Sequence, residues 1–222
     1  KSITEDGHVL VLGGSGSGKS SAGVIPTILA NPETAIFALD IKGELSYKAT
    51  KCTDPKVMIV NPSNRGSCGY NPLYLLTSDS SSAEIYDTMR LISESLISLP
   101  ADIKDPFWKN SARNLLTGLL IYYYKTGRHS FIGLVDEILS KSIKDSVKEI
   151  MEQADVSSTE RKYVIQFSDM AEETLGGIVA EMNNHLALFA NDADIRYALR
   201  DNPIKTTPKM LNNGYSIYLA IH

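Results

Sequence analysis

The chain has 222 residues, 43% of them apolar and 22% charged, with a formal net charge of −4. That composition suits a soluble globular protein with a sizeable core, and the charge excludes bulk attraction to nucleic acid or to anionic lipid. Contact with DNA would need a local basic patch, or a ring of subunits presenting one.

Two cysteines, Cys52 and Cys68, have no CxxC partner and lie near no histidine pair. Two reduced thiols and no zinc site are therefore expected. No signal-peptide pattern opens the chain at Lys1. The most apolar helix-like run, Leu115 to Tyr124, is far shorter than the ~20 residues a membrane span needs. The fragment is expected to be soluble and cytoplasmic.

From His8 to Val60, short apolar runs alternate with helix-like segments. HVLVLGG reads as a buried strand, Lys19 to Ala30 as a helix, TAIFALD as a second strand, ELSYKAT as a short helix and KVMIVNP as a third strand. Continuous apolar strands separated by helices imply a parallel sheet covered on both faces, an α/β domain.

After NPLYLL the pattern turns helical. SDSSSAEIYDTMRLISESLISL carries Ile85, Met89, Ile92 and Leu96 at helical spacing behind a capping serine cluster. In DPFWKNSARNLLTGLLIYYYKTG, Asp105 can cap, Pro106 suits the first turn and Gly127 the stop. The amphipathic segments SIKDSVKEIMEQ, STERKYVIQFSDM and AEETLGGIVAEMNNHLALFAND follow. In NNGYSIYLAIH an Asn-Gly turn precedes a returning strand. The order predicts an all-α domain, residues 77–196, inserted into an α/β nucleotide-binding domain made of residues 1–76 and the returning strand, 197–222. A sheet of this kind is expected to continue past His222.

Gly13, Gly14, Ser15, Gly16, Ser17, Gly18, Lys19 and Ser20 satisfy the G-x-x-x-x-G-K-[ST] phosphate-loop pattern, between a predicted strand and a predicted helix. The glycines let successive N–H groups turn towards a phosphate, and the helix N-terminus adds its dipole. Lys19 would meet the β- and γ-phosphates of ATP, Ser20 would ligate Mg²⁺, and Ser21 could reach the α-phosphate. Pro26 is unusual here, because a proline inside a helix removes a hydrogen bond and kinks or ends it.

With that proline, GGSGSGKSSAGVIPTIL resembles the coupling-protein ATPases of type IV secretion, the VirD4/TraG family, which carry a Pro-Thr pair where Pro26 and Thr27 stand. LDIKGEL, with Asp40, Lys42 and Glu44, is similar to the family's second-strand motif. NPL at Asn71 to Leu73, DPFWKNSARNLL, LGGIVAEMNNHLALFAND and GYSIYLAI continue the likeness in order over nearly the whole chain. The resemblance implies a RecA-like P-loop ATPase with an inserted all-α domain, using ATP and Mg²⁺. In the full-length protein it implies a homo-hexamer at the cytoplasmic face of the membrane. There it would pass relaxase-bound single-stranded DNA, or protein substrates, from the relaxosome to the secretion channel. It also implies a Walker B strand beyond His222, so that turnover by this fragment is expected to be weak.

Other residues carry competing readings. FIGLVDEIL imitates a Walker B strand ending in Asp136 and Glu137, which would make a self-contained ATPase. Yet Ile132, Val135, Ile138 and Leu139 recur at helical spacing behind a capping Ser130, which favours a helix with a solvent-facing acidic pair. Asp40, Lys42 and Glu44 could serve the nucleotide or cap the next helix. Phe107, Trp108 and Tyr122 to Tyr124 could stack bases, although core packing is favoured. Lys104, Lys109 and Arg113 suit a solvated helix face, and His129 and His185 suit structural roles. A rival to the motor is a recognition module whose helices dock a substrate and for which nucleotide is a switch.

Overall fold

The computed structural model describes residues 7–48, 56–127, 130–199 and 205–221. They form an α/β chain, mostly helical, with a small parallel sheet. Two compact units divide it: residues 1–61 with 208–222, and residues 62–207.

The first unit is built on three parallel strands, β1 (Phe37–Asp40), β2 (Val57–Val60) and β5 (Ser216–Ala220), in the order β1-β5-β2. The last strand in sequence is central. It bonds both neighbours through Ile217 N–H to Ile36 at 2.7 Å and Ser216 N–H to Lys56 at 2.8 Å. The apolar run of β5 is explained by that position: Ile217, Tyr218 and Ala220 are buried. The Asn213-Gly214 turn places Gly214 at φ 78°, which glycine adopts without strain, and the chain enters β5 from it. Short helices α1 (Ile25–Ala30), α2 (Glu44–Lys48) and α10 (Lys209–Asn212) belong to this unit.

One expected strand is absent. His8 to Leu12 carry no strand, and Val9, Leu10, Val11 and Leu12 are 54–84% exposed. Apolarity makes a segment suited to a buried strand, but the strand exists only when a neighbour takes up its N–H and C=O groups. The ladders of this sheet are made by β1, β5 and β2 alone among the described residues.

The second unit is organised around α4 (Phe107–Lys125). From Ser111 to Tyr124 nearly every side chain is buried, with Ala112, Leu115, Leu116, Leu119 and Leu120 fully so. A helix apolar on all sides has to be enclosed. It packs against α3 (Ser82–Leu96), α5 (Phe131–Leu139), α7 (Thr159–Val164) and α8 (Glu172–Asn191). Gly118 permits the close approach of α7: a Cβ there would stand 2.7 Å from Val164 Cγ1 and 3.3 Å from the Glu160 carbonyl oxygen. The serine starts expected for α3 and α5 hold, but at α4 Pro106 is the N-cap residue, outside the first turn, and Asp105 instead accepts from Phe107 N–H at 3.0 Å. Ser81 and Glu84 form a reciprocal capping box on α3, while Ser130, Ser142 and Ser158 cap α5, α6 (Ile143–Gln153) and α7. A two-residue parallel bridge, β3 (Gly69–Tyr70) with β4 (Lys205–Thr206), also lies within residues 62–207, as does α9 (Ala193–Ala198).

The polar atoms of α4 are satisfied as they are buried. Tyr122 donates to Glu149 or Gln153, at 3.1 and 2.9 Å, Tyr123 donates to Ser146 at 2.9 Å, and Lys125 pairs with the buried Glu160 at 2.8 Å. Burial, and then the hydrogen bond to Glu149, push the Tyr122 phenol up to about 12. Burial and the bond to Tyr86 do the same for Tyr163.

Two outcomes follow. Gly118→Val should lower unfolding stability by about 2 kcal/mol or more through overpacking, whereas Gly176→Ala, in a helix with open space around it, should raise it by about 0.5–1 kcal/mol; urea titrations of both variants check the contrast. The second concerns alkali. The folded phenols of Tyr122 and Tyr163 keep their protons to about 12, and unfolded ones release them near 10. The stability these two phenols contribute is therefore fully present below pH 10 and is lost between pH 10 and 12, as urea midpoints measured across that window will show.

Candidate functional site

The glycine-rich loop takes its shape from two residues that need positive φ, Gly16 at 75° and Gly18 at 82°. Gly18 ends the loop in the left-handed region and hands the chain to a π-helical turn, Lys19–Val24. In that turn Ile25 N–H bonds to the Ser20 carbonyl, five residues back. The next donor would be Pro26, which has none. The wide turn therefore ends at the residue before the proline, and Pro26 becomes the second residue of α1, where no N–H is required. The predicted helix from Lys19 to Ala30 is thus two pieces with different winding.

Lys19 turns back into the loop. Its Nζ donates to the carbonyl oxygens of Gly13 at 2.6 Å and Gly14 at 2.7 Å, and Ser17 N–H closes a turn onto Gly14 at 3.3 Å. The hydroxyl of Ser21 donates to Gly18 at 3.3 Å. Residues Gly13 to Ser17 are exposed, and Gly18, Lys19 and Ser20 half-buried. The arrangement puts one cation and the start of a helix at a solvent-open, glycine-rich turn. That combination suits an anion that would compete with the two carbonyls for the ammonium.

Asp40, at the end of β1, is 3% exposed. Its carboxylate accepts from Ser46 N–H at 2.7 Å, and its carbonyl accepts from Gly43 N–H at 3.0 Å. It ties strand, turn and helix together, with Gly43 at φ 66° and Glu44 in the first turn of α2. Lys42 is exposed. Of the two readings of this motif, the bonds seen are those of helix capping.

In the second unit, FIGLVDEIL is the helix α5, capped by Ser130 through Gly133 N–H at 3.0 Å. The carboxylate of Asp136 is gripped by both terminal nitrogens of Arg196, at 2.9 and 2.8 Å, and Lys141 stands 3.5 Å from Glu137. Arg196 also reaches the carbonyl of Phe189 at 3.0 Å, and its guanidinium is held above its ordinary value first by that carboxylate. An acidic side chain on a helix and committed to an arginine is not a Walker B carboxylate.

The tyrosines 122 to 124 are buried and cannot stack bases. Phe107 and Trp108 are half-exposed. Arg113, expected on a solvated face, instead donates to the carbonyls of Ile97 at 2.5 Å and Glu94 at 3.4 Å at the end of α3, a role its sequence context did not signal. Lys109 meets Glu181 at 2.9 Å and His185 at 3.4 Å, and it is the first cause holding the Glu181 carboxyl below the ordinary range. Lys104 is exposed. Cys68 is a half-buried free thiol; Cys52 and His129 lie outside the described residues. Among the described residues no group of three or more His, Cys, Asp or Glu side chains could hold a metal, and no helix is long and apolar enough to cross a membrane.

No curated protein matches the chain. The model of the family described as type IV secretory system conjugative DNA transfer matches residues 2–221. The chain belongs to that family, the VirD4/TraG coupling-protein type.

Proposed function

We propose that this chain is the Mg-ATP-binding part of a conjugative coupling protein, in which the loop from Gly13 to Ser21 holds the nucleotide. The observation that carries the reading is the inward-turned Lys19, bonded to the carbonyls of Gly13 and Gly14 in a loop that Gly16 and Gly18 shape with positive φ. A polyphosphate entering the loop would draw the ammonium off those carbonyls onto its β- and γ-oxygens, while backbone N–H groups and the helix start meet the remaining charge. Ser20 would then hold the Mg²⁺ that accompanies the nucleotide, and Ser21 would stand near the α-phosphate. Mg²⁺ supplies charge neutralisation on the phosphates.

In this reading the first unit is the RecA-like nucleotide-binding domain. Residues 62–207 are the helical insertion that receives relaxase-bound single-stranded DNA or a protein substrate. The full-length protein works as a homo-hexamer at the membrane beside the secretion channel. Family membership supports a place in conjugative DNA transfer. Asp136 and Glu137 have no catalytic part in it.

The test is calorimetric titration of Mg-ATP into the chain and two variants. Lys19→Ala should lose about tenfold or more in affinity, at least ~1.4 kcal/mol, while Asp136→Ala should bind as the parent does. Unchanged affinity in Lys19→Ala would overturn the assignment of the loop.

A further inference from the structure

The second unit shows two aromatic side chains to solvent at the opening of α4. Phe107 and Trp108 are 45% and 41% exposed, on a helix whose following turns are buried. Their rings meet edge to face with centroids 5.2 Å apart. Trp108 is held in place from beneath. Its ring lies on Gly177 of α8 so closely that a Cβ there would come within 2.6 Å of it. A half-exposed indole already fixed by its own fold gives up little side-chain freedom when a partner covers it. Tryptophans so placed carry a large share of the binding energy at protein interfaces.

Charge decides what the partner is. Lys109, next in sequence, is occupied by Glu181 at 2.9 Å and His185 at 3.4 Å. Asp105 precedes the aromatic pair, its carboxylate accepting from Phe107 N–H at 3.0 Å, and Asp102 lies three residues before it. On α8, Glu173 stands one turn before Gly177 on the same face, exposed. Lys104 opposes these carboxylates, and residues 62–207 carry 20 acidic against 15 basic residues. A phosphate backbone would be repelled here, since nucleic-acid affinity rests on lysine and arginine neutralising phosphates. A guanidinium is attracted twice, by the ring face and by the carboxylates beside it.

We infer that Phe107 and Trp108, with the acidic rim of Asp102, Asp105 and Glu173, form a docking site for an arginine-rich segment of a partner protein. The site lies in the second unit alone and holds whether or not the first unit binds nucleotide.

Trp108 is the chain's single tryptophan, so its emission reports on this site and no other. The 222-residue chain is titrated with a nona-arginine peptide and, separately, with a thymidine oligonucleotide. The peptide should change the emission saturably. Glu173→Gln should weaken it roughly fivefold, and Glu152→Gln, an exposed carboxylate on α6, should leave it unchanged, with circular dichroism showing both variants folded. No change of emission with the peptide overturns the inference. Equal weakening in the two variants does so too, because the attraction would then be to net charge. An emission change with the oligonucleotide as strong as that with the peptide would make the pair a single-strand stacking platform instead.

Discussion

The enclosure of α4 is the constraint on which the larger unit rests. Twelve of its residues, from Ser111 to Tyr124, are buried, and no single neighbour can cover more than one face of a helix. Four helices therefore gather around it, and α7 comes close where Gly118 lacks the side chain that would have kept it away. Burying a leucine or a tyrosine on that scale is worth about 1.5–3 kcal/mol per side chain. The short helices of the unit, α5 with nine residues and α7 with six, hold their shape through this packing rather than through intrinsic propensity.

Such a crowded centre tolerates polar atoms only when each finds a partner. The hydroxyls of Tyr122 and Tyr123 do so on α6, Lys125 does so on Glu160, and the guanidinium of Arg113 closes the carbonyls at the end of α3. An unpaired buried group would cost about 1–3 kcal/mol. The same bonds therefore choose which turn of each helix faces α4. Arg161 works similarly, reaching the carbonyls of Met151 and Ala154 at the end of α6. These contacts explain why two of the chain's arginines, placed on helices with no apolar reason to point inward, are structural.

In the first unit the controlling constraint is backbone geometry. Gly16 and Gly18 adopt φ values that a side chain would strain, and Pro26 withholds the donor that a continuous helix would need. Between them the chain has room for one π-helical turn before α1 begins. The lysine that follows Gly18 is thereby set at the base of its own loop, within reach of the carbonyls of Gly13 and Gly14. A half-buried cation at a solvent-open glycine turn and a buried carboxylate, Asp40, fastening β1 to α2 are two different uses of charge in one small unit.

Local pattern was enough for much of this. The positive-φ glycine loop, the serine caps on α3 and α5, the helical character of FIGLVDEIL and the strand after Asn213-Gly214 were all legible, because each depends on residues within a few positions of one another. What the sequence by itself determined was the order of most elements and the family. Tertiary structure decided the rest. HVLVLGG has every property of a buried strand and is exposed, because a strand needs a partner's hydrogen bonds. Arg196 lies sixty residues from Asp136 and cannot be matched to it by spacing. The Trp108 ring rests on Gly177 because two helices distant in sequence pack side by side. Periodicity says which face of a helix is apolar; only packing says what that face, and every charge beside it, will meet.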